Sequence, residues 1–90
     1  MGVAAVKIKI MPVSPDTDLE KLKENLKQLL DSEEVKGTQF EIQPIAFGLK
    51  AIIMMFGWPE EKELDALEER FKKVPDVNSV ELLDIRRAIG

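Results

Sequence analysis

The stretch Gly48-Leu49-Lys50-Ala51-Ile52-Ile53-Met54-Met55-Phe56-Gly57 constrains this chain more than any other. It holds seven apolar residues and one charge, Lys50, between two glycines. A strand with one face in water alternates apolar and polar residues, whereas this run is apolar at both parities. That predicts a central strand with one side in the core and the other largely covered or used for contact. A ten-residue buried helix is the competing reading; the β-branched pair Ile52-Ile53 and the bracketing glycines favour a strand. Directly upstream, Gln43-Pro44-Ile45-Ala46-Phe47 brings a proline and then an aromatic against Gly48.

The rest of the chain builds around that strand. Val3 to Met11 alternates, with Ala4, Val6, Ile8 and Ile10 on one side and Lys7, Lys9 and Met11 on the other, before Pro12 and Pro15 close it. Thr17 and Glu20 have capping-box spacing, and Leu19, Leu22, Leu26, Leu29 and Leu30 fall on one helical face up to about residues 31–33. From Thr38 to Phe47 the period returns to two, with Pro44 marking an edge strand that joins the central one as a hairpin. Pro59 and the acidic Glu60, Glu61 and Glu63 predict a helix start, with Leu64, Leu67, Phe71 and Val74 as its stripe and Pro75 as its stop. Val77, Val80, Leu82, Leu83 and Ile85 make a last strand, whose adjacent leucines predict a bulge.

The order strand, helix, strand, strand, helix, strand predicts an α+β, ferredoxin-like βαββαβ sandwich: a four-stranded antiparallel sheet with two helices on one face. Residues 1–90 form a single domain with a modest core. The first and third strands are expected in the centre. On the uncovered face the expectation is Lys7, Lys9, Lys50, Ile52, Met54 and Phe56, a mixture of basic and apolar residues that suits a partner.

Absences narrow the chemistry. With no cysteine and no histidine, thiolate nucleophiles, imidazole bases and the usual zinc sites are excluded. The carboxylates near Glu60 to Glu69 read as a helix surface, and the glycines are too scattered to cradle a phosphate. No catalytic residue, cofactor site or metal site is expected, and the chain is read as no enzyme. A net charge of −4 argues against direct nucleic-acid binding and suits a basic protein partner. No apolar run is long enough to span a membrane, and no signal peptide is recognisable, so the expected location is the cytoplasm. Two features stay open between a bland and a functional reading. Phe47 either tucks over the sheet end or stands out as an interface anchor. Arg86 and Arg87 are either solvated strand ends or forks that reach phosphates or carboxylates.

Pro44-Ile45-Ala46-Phe47-Gly48-Leu49-Lys50 resembles the proline, apolar, small, aromatic, glycine, apolar, lysine pattern of the translation elongation factor 1-beta family. Gln39-Phe40, the turn Trp58-Pro59-Glu60-Glu61 and the closing Val80-Glu81-Leu82-Leu83-Asp84-Ile85 fit the same family, so the resemblance covers essentially the whole chain. Its compactness is similar to the archaeal form. The resemblance implies a guanine-nucleotide exchange factor for the GTPase elongation factor 1-alpha, monomeric when free. Its implied partner-binding residues are Ala46, Phe47, Gly48, Leu49 and Lys50 at the hairpin and Arg86 and Arg87 at the C-terminal end, both acting near the nucleotide and magnesium site. Eukaryotic members end in a lysine and a bulky apolar residue; here Arg86-Arg87-Ala88-Ile89-Gly90 carries no lysine. The alternative is a regulatory or small-ligand-binding dimerisation domain of the same topology. An RNA-binding module of this fold would need stacking aromatics where the strands carry Val6, Ile8 and Ile10 and a lone Phe56.

Overall fold

The computed structural model describes residues 2–35 and 37–87. Its elements are β1 (Val3–Pro12), α1 (Leu19–Ser32), β2 (Gln39–Pro44), β3 (Lys50–Pro59), α2 (Leu64–Lys72) and β4 (Val77–Arg87). The sheet is antiparallel in the order β2-β3-β1-β4, which is the ferredoxin-like arrangement with the first and third strands central.

One core lies between the sheet and both helices. Ala4, Val6, Ile8 and Ile10 of β1 meet Ile52, Met54, Phe56 and Trp58 of β3, and the layer above is Leu22, Leu26 and Leu30 of α1 with Leu67 and Phe71 of α2. Phe56 is the hinge of an aromatic trio, edge-on to Trp58 at 6.3 Å and to Phe71 at 6.4 Å between ring centres. Edge-to-face contacts of this kind add about 0.5–1.5 kcal/mol each beyond the area they bury.

The pairing corrects the expected open face. Val6 pairs with Phe56, Ile8 with Met54 and Ile10 with Ile52, so those three β3 residues share the core side with β1's apolar set. The open face instead carries Ala5, Lys7 and Lys9 of β1 beside Gly57, Met55 and Ile53 of β3. Lys50, of the same parity as Ile52, pairs with Pro44 at the strand's start, where a charge does not report which side is buried.

Two boundaries also move. The cap of α1 is Asp18, not Thr17: its Oδ1 accepts from the amides of Glu20 and Lys21 at 3.1 and 3.2 Å. Thr17 is instead held in a turn by its own amide, which donates to Ser14 O. Pro59 is the last residue of β3 and not the first turn of α2, since Val3 and Ala4 extend the ladder to Pro59 and Trp58. The helix starts only at Leu64, after a turn closed by Lys62 N to Pro59 O. The bulge is present: Lys7 pairs with Asp84 but Ile8 with Leu82, leaving Leu83 extra.

Candidate functional site

Ala46, Phe47, Gly48 and Leu49 form a four-residue turn, closed by Leu49 N donating to Ala46 O at 3.0 Å. Phe47 has φ 55° and Gly48 φ 79°. Positive φ at both central residues is the sign pattern of a type I′ turn, whose twist matches that of the flanking strands. Leu49 O also accepts from Ile45 N at 2.8 Å, so one residue of the β3 side faces two on the β2 side, a small bulge at the root of the turn. Glycine adopts this conformation freely, but a residue with a Cβ is strained by roughly 1–2 kcal/mol.

The strained residue is also the bare one. Phe47 is 97% exposed, and Ile45, Ala46, Gly48 and Lys50 around it are exposed as well, with Leu49 half-buried. Of the two readings left open for Phe47, the tucked ring is excluded. A bulky aromatic held out of the core in a left-handed backbone is the kind of outlier that accumulates where function sets the geometry.

Arg86 and Arg87 are part of β4, not a tail after it: Arg86 pairs with Ala5 and Arg87 with Ala4. The Arg86 guanidinium is exposed, and its Nε donates to Asp84 Oδ2 at 2.9 Å, two residues away on the same side of the strand. The side chain of Arg87 and residues 88–90 lie outside the described residues. Asp84 was not singled out from sequence, although opposite charges two apart on a strand do share a face.

The structure brings residues 46–50 together and sets Arg86 apart from them. Ala5 pairs with both Arg86 and Gly57, which places Arg86 at the far end of β3 from the turn. Phe47 and Gly57 are ten positions apart, and at about 3.3 Å per extended residue the two contacts lie roughly 30 Å apart. The molecule's long dimension is 42 Å, so they mark its two ends.

The Arg86 end is braced by a separate polar cluster. Glu33, at the C-terminal cap of α1, receives Arg70 of α2 and has Lys62 Nζ at 3.7 Å. Lys62 in turn lies 5.4 Å above the centre of the Trp58 ring, while its carbonyl accepts from the indole Nε1 at 3.2 Å. Among the described residues there is no group of three acidic side chains able to hold a metal ion, and no helix long and apolar enough to cross a membrane.

Comparison with known proteins follows the same outline. In fold, the chain is similar to the structure named BlrP1 BLUF, with a TM-score of 0.58 at 16% identity over 100% of this chain and 57% of that one; this likeness concerns the fold alone. In sequence it is 44% identical to elongation factor 1-beta of Methanosarcina mazei over 88 residues, covering 97% of this chain and 99% of that protein. Elongation factor 1-beta of Methanosarcina barkeri is 45% identical over 89 residues, covering 97% of this chain and 99% of that protein. Elongation factor 1-beta of Methanococcus aeolicus is 36% identical over 87 residues, covering 94% and 97%. Residues 5–88 match the EF-1 guanine nucleotide exchange domain, and with that match and those relatives the chain belongs to the elongation factor 1-beta exchange-domain family.

Proposed function

We propose that this protein is a guanine-nucleotide exchange factor that promotes release of GDP from the GTPase elongation factor 1-alpha in translation. Family membership supports the activity, and the single structural observation that carries the mechanism is Phe47, bare and strained at the tip of the hairpin. No covalent step is required of an exchange factor. It has only to bind the GTPase with nucleotide loosened more tightly than the loaded one, each tenfold of preference amounting to about 1.4 kcal/mol. A phosphate-cradling loop and its magnesium hold the nucleotide in such a GTPase, and both are sensitive to small displacements.

Phe47 acts as the wedge, entering an apolar pocket of the GTPase. The C-terminal end of β4, with Arg86, makes the second contact. Roughly 30 Å separates them along the sheet. They grip the GTPase at two places, and the rigid sheet between fixes the spacing it must adopt. A single end could only anchor; two ends at a set distance select one conformation of the partner.

The test is release of labelled GDP from the cognate GTPase with wild type, Phe47→Ala, Arg86→Ala and the double variant. Loss of acceleration in Phe47→Ala is expected, since an interface anchor of this kind is worth about 2 kcal/mol or more. Equal acceleration by wild type and Phe47→Ala would refute the wedge.

A further inference from the structure

The open face of the sheet is not flat. At its Arg86 end a recess of about 540 Å³ is floored by Ala5, Met55 and Gly57 and rimmed by Lys7, Asp84 and Arg86. A second recess of about 290 Å³ lies towards the hairpin, between Ile53, Leu83, Glu41 and Pro44, and Lys7 borders this one as well. Small side chains create the first depression: Gly57 has no Cβ, and the side chain of Ala5, its partner in the ladder, is a single methyl.

Lys7 stands between the two recesses, half-buried at the middle of the central strand β1. Its neighbours across the sheet are Met55 on one side and Asp84 on the other. Asp84 gives its carboxylate to Arg86, and Lys9 is the lysine that approaches Glu81, at 4.0 Å. Among the described residues Lys7 makes no ion pair: Asp84, opposite it in the ladder, turns its carboxylate to Arg86, so a cation sits on a partly apolar surface with no carboxylate in ion-pair contact. Taking a charge even part-way out of water is unfavourable unless an opposite charge arrives.

We propose that the GTPase lies against this open face, and that Lys7 receives a carboxylate from an extended GTPase segment carrying an apolar side chain on each side of it, one for each recess. The proposal rests on the exchange-factor reading and deepens it, naming the surface between the two end contacts. Continuity supports it, because one recess includes Arg86 and the other reaches Pro44 at the foot of the hairpin. So does charge, since the unpaired group is a lysine, which selects an acidic side chain. Residues two apart on an extended chain face the same way, at about 7 Å, which is the spacing an apolar, acidic, apolar series needs.

The experiment measures affinity for the cognate GTPase and release of labelled GDP for wild type, Lys7→Glu, Lys7→Arg, Ala5→Glu and Phe47→Ala, with thermal melting and light scattering of each variant alone. Ala5 is exposed, so Ala5→Glu places a repelling carboxylate on the recess floor without entering the core and serves as a second probe should Lys7→Glu fail to fold. The expected result is tenfold or more weaker binding for Lys7→Glu and Ala5→Glu, a change under threefold for Lys7→Arg, and unaltered melting. Wild-type acceleration that is lost in Phe47→Ala but kept in both charged variants would overturn this inference and leave the exchange-factor reading standing. No acceleration by wild type would overturn both. A charged variant that halves the mass of the protein alone would show that a second copy occupies the face, and would overturn it too.

Discussion

Phe47 and Gly48 occupy the two central positions of one turn, both with positive φ, yet only Gly48 lacks the Cβ that makes this backbone costly. Asparagine tolerates the left-handed region better than phenylalanine does. Phe47→Asn is therefore expected to stabilise the free protein by about 1 kcal/mol while abolishing acceleration of GDP release. Denaturant unfolding and the release assay, run on the same preparation, check the two halves. A variant less stable than wild type would remove strain from the account of this turn.

Met54 and Met55 are neighbours in sequence with opposite surroundings. Met54 is fully buried against the helices, whereas Met55 floors the open-face recess. Met54→Ala is expected to cost about 2–5 kcal/mol through the cavity it leaves. Met55→Ala should cost much less than this. Urea midpoints for the pair read the orientation of β3 directly, and a reversed order would overturn the register.

Glu33 ties α1 to α2 through Arg70 and to the turn before α2 through Lys62, all of them partly exposed. Exposed pairs are worth about 0.2–1 kcal/mol each and weaken with salt. Glu33→Gln is expected to lower the melting temperature by a few degrees in dilute buffer, with most of the difference lost near molar salt. A difference that ignores salt would mean the contribution is packing rather than charge.

Glu68 on α2 has its pKa raised, first by burial and then by the nearby Asp65 carboxylate, with Lys72 opposing. The folded chain thus holds this proton more readily than the unfolded chain does. Stability from this group is full at acidic pH and falls as pH rises through the window between the ordinary carboxylate value and the raised one. Glu68→Gln is expected to raise the melting temperature at neutral pH, and the advantage should shrink to nothing below that window. Melting curves across acidic and neutral pH measure it.

The strand order and the hydrophobic stripes were legible in the sequence because alternation in β1 and three-four spacing in α1 each have one solution. Leu22, Leu26 and Leu30 are all fully buried, and the doubled leucine of β4 does mark a bulge. The orientation of β3 was not legible. Seven apolar residues at both parities look the same from either side, and only pairing with Ile8 and Ile10 decides between them. Asp18 displaced Thr17 as the cap because the chain was still turning at Ser14 to Thr17, a feature of backbone geometry that residue types alone leave unresolved.

The hairpin stood out because Pro44 marks an edge strand and Phe47 lies directly against Gly48, and residues 46–50 were named by the resemblance. Their separation from Arg86 is contained in the antiparallel topology, which runs β4 back along β1 and sets its C-terminal end away from the β2–β3 turn, although the resemblance implies both near one site. The recess at the Arg86 side of Lys7 comes from Ala5 and Gly57, two small residues far apart in the chain that meet only in the ladder.

Trp58 is the only tryptophan, buried beneath the Lys62 ammonium at the end of β3 that is level with the C-terminal half of β4, across β1. The molecule therefore carries a single intrinsic fluorophore, sited at the arginine end and remote from the aromatic tip. Emission should shift when the helices part from the sheet or when a partner disturbs Lys62, and should stay dark to whatever Phe47 touches. Optical titrations would sample the two ends unequally, and following the tip requires a dye or a fluorinated ring placed there.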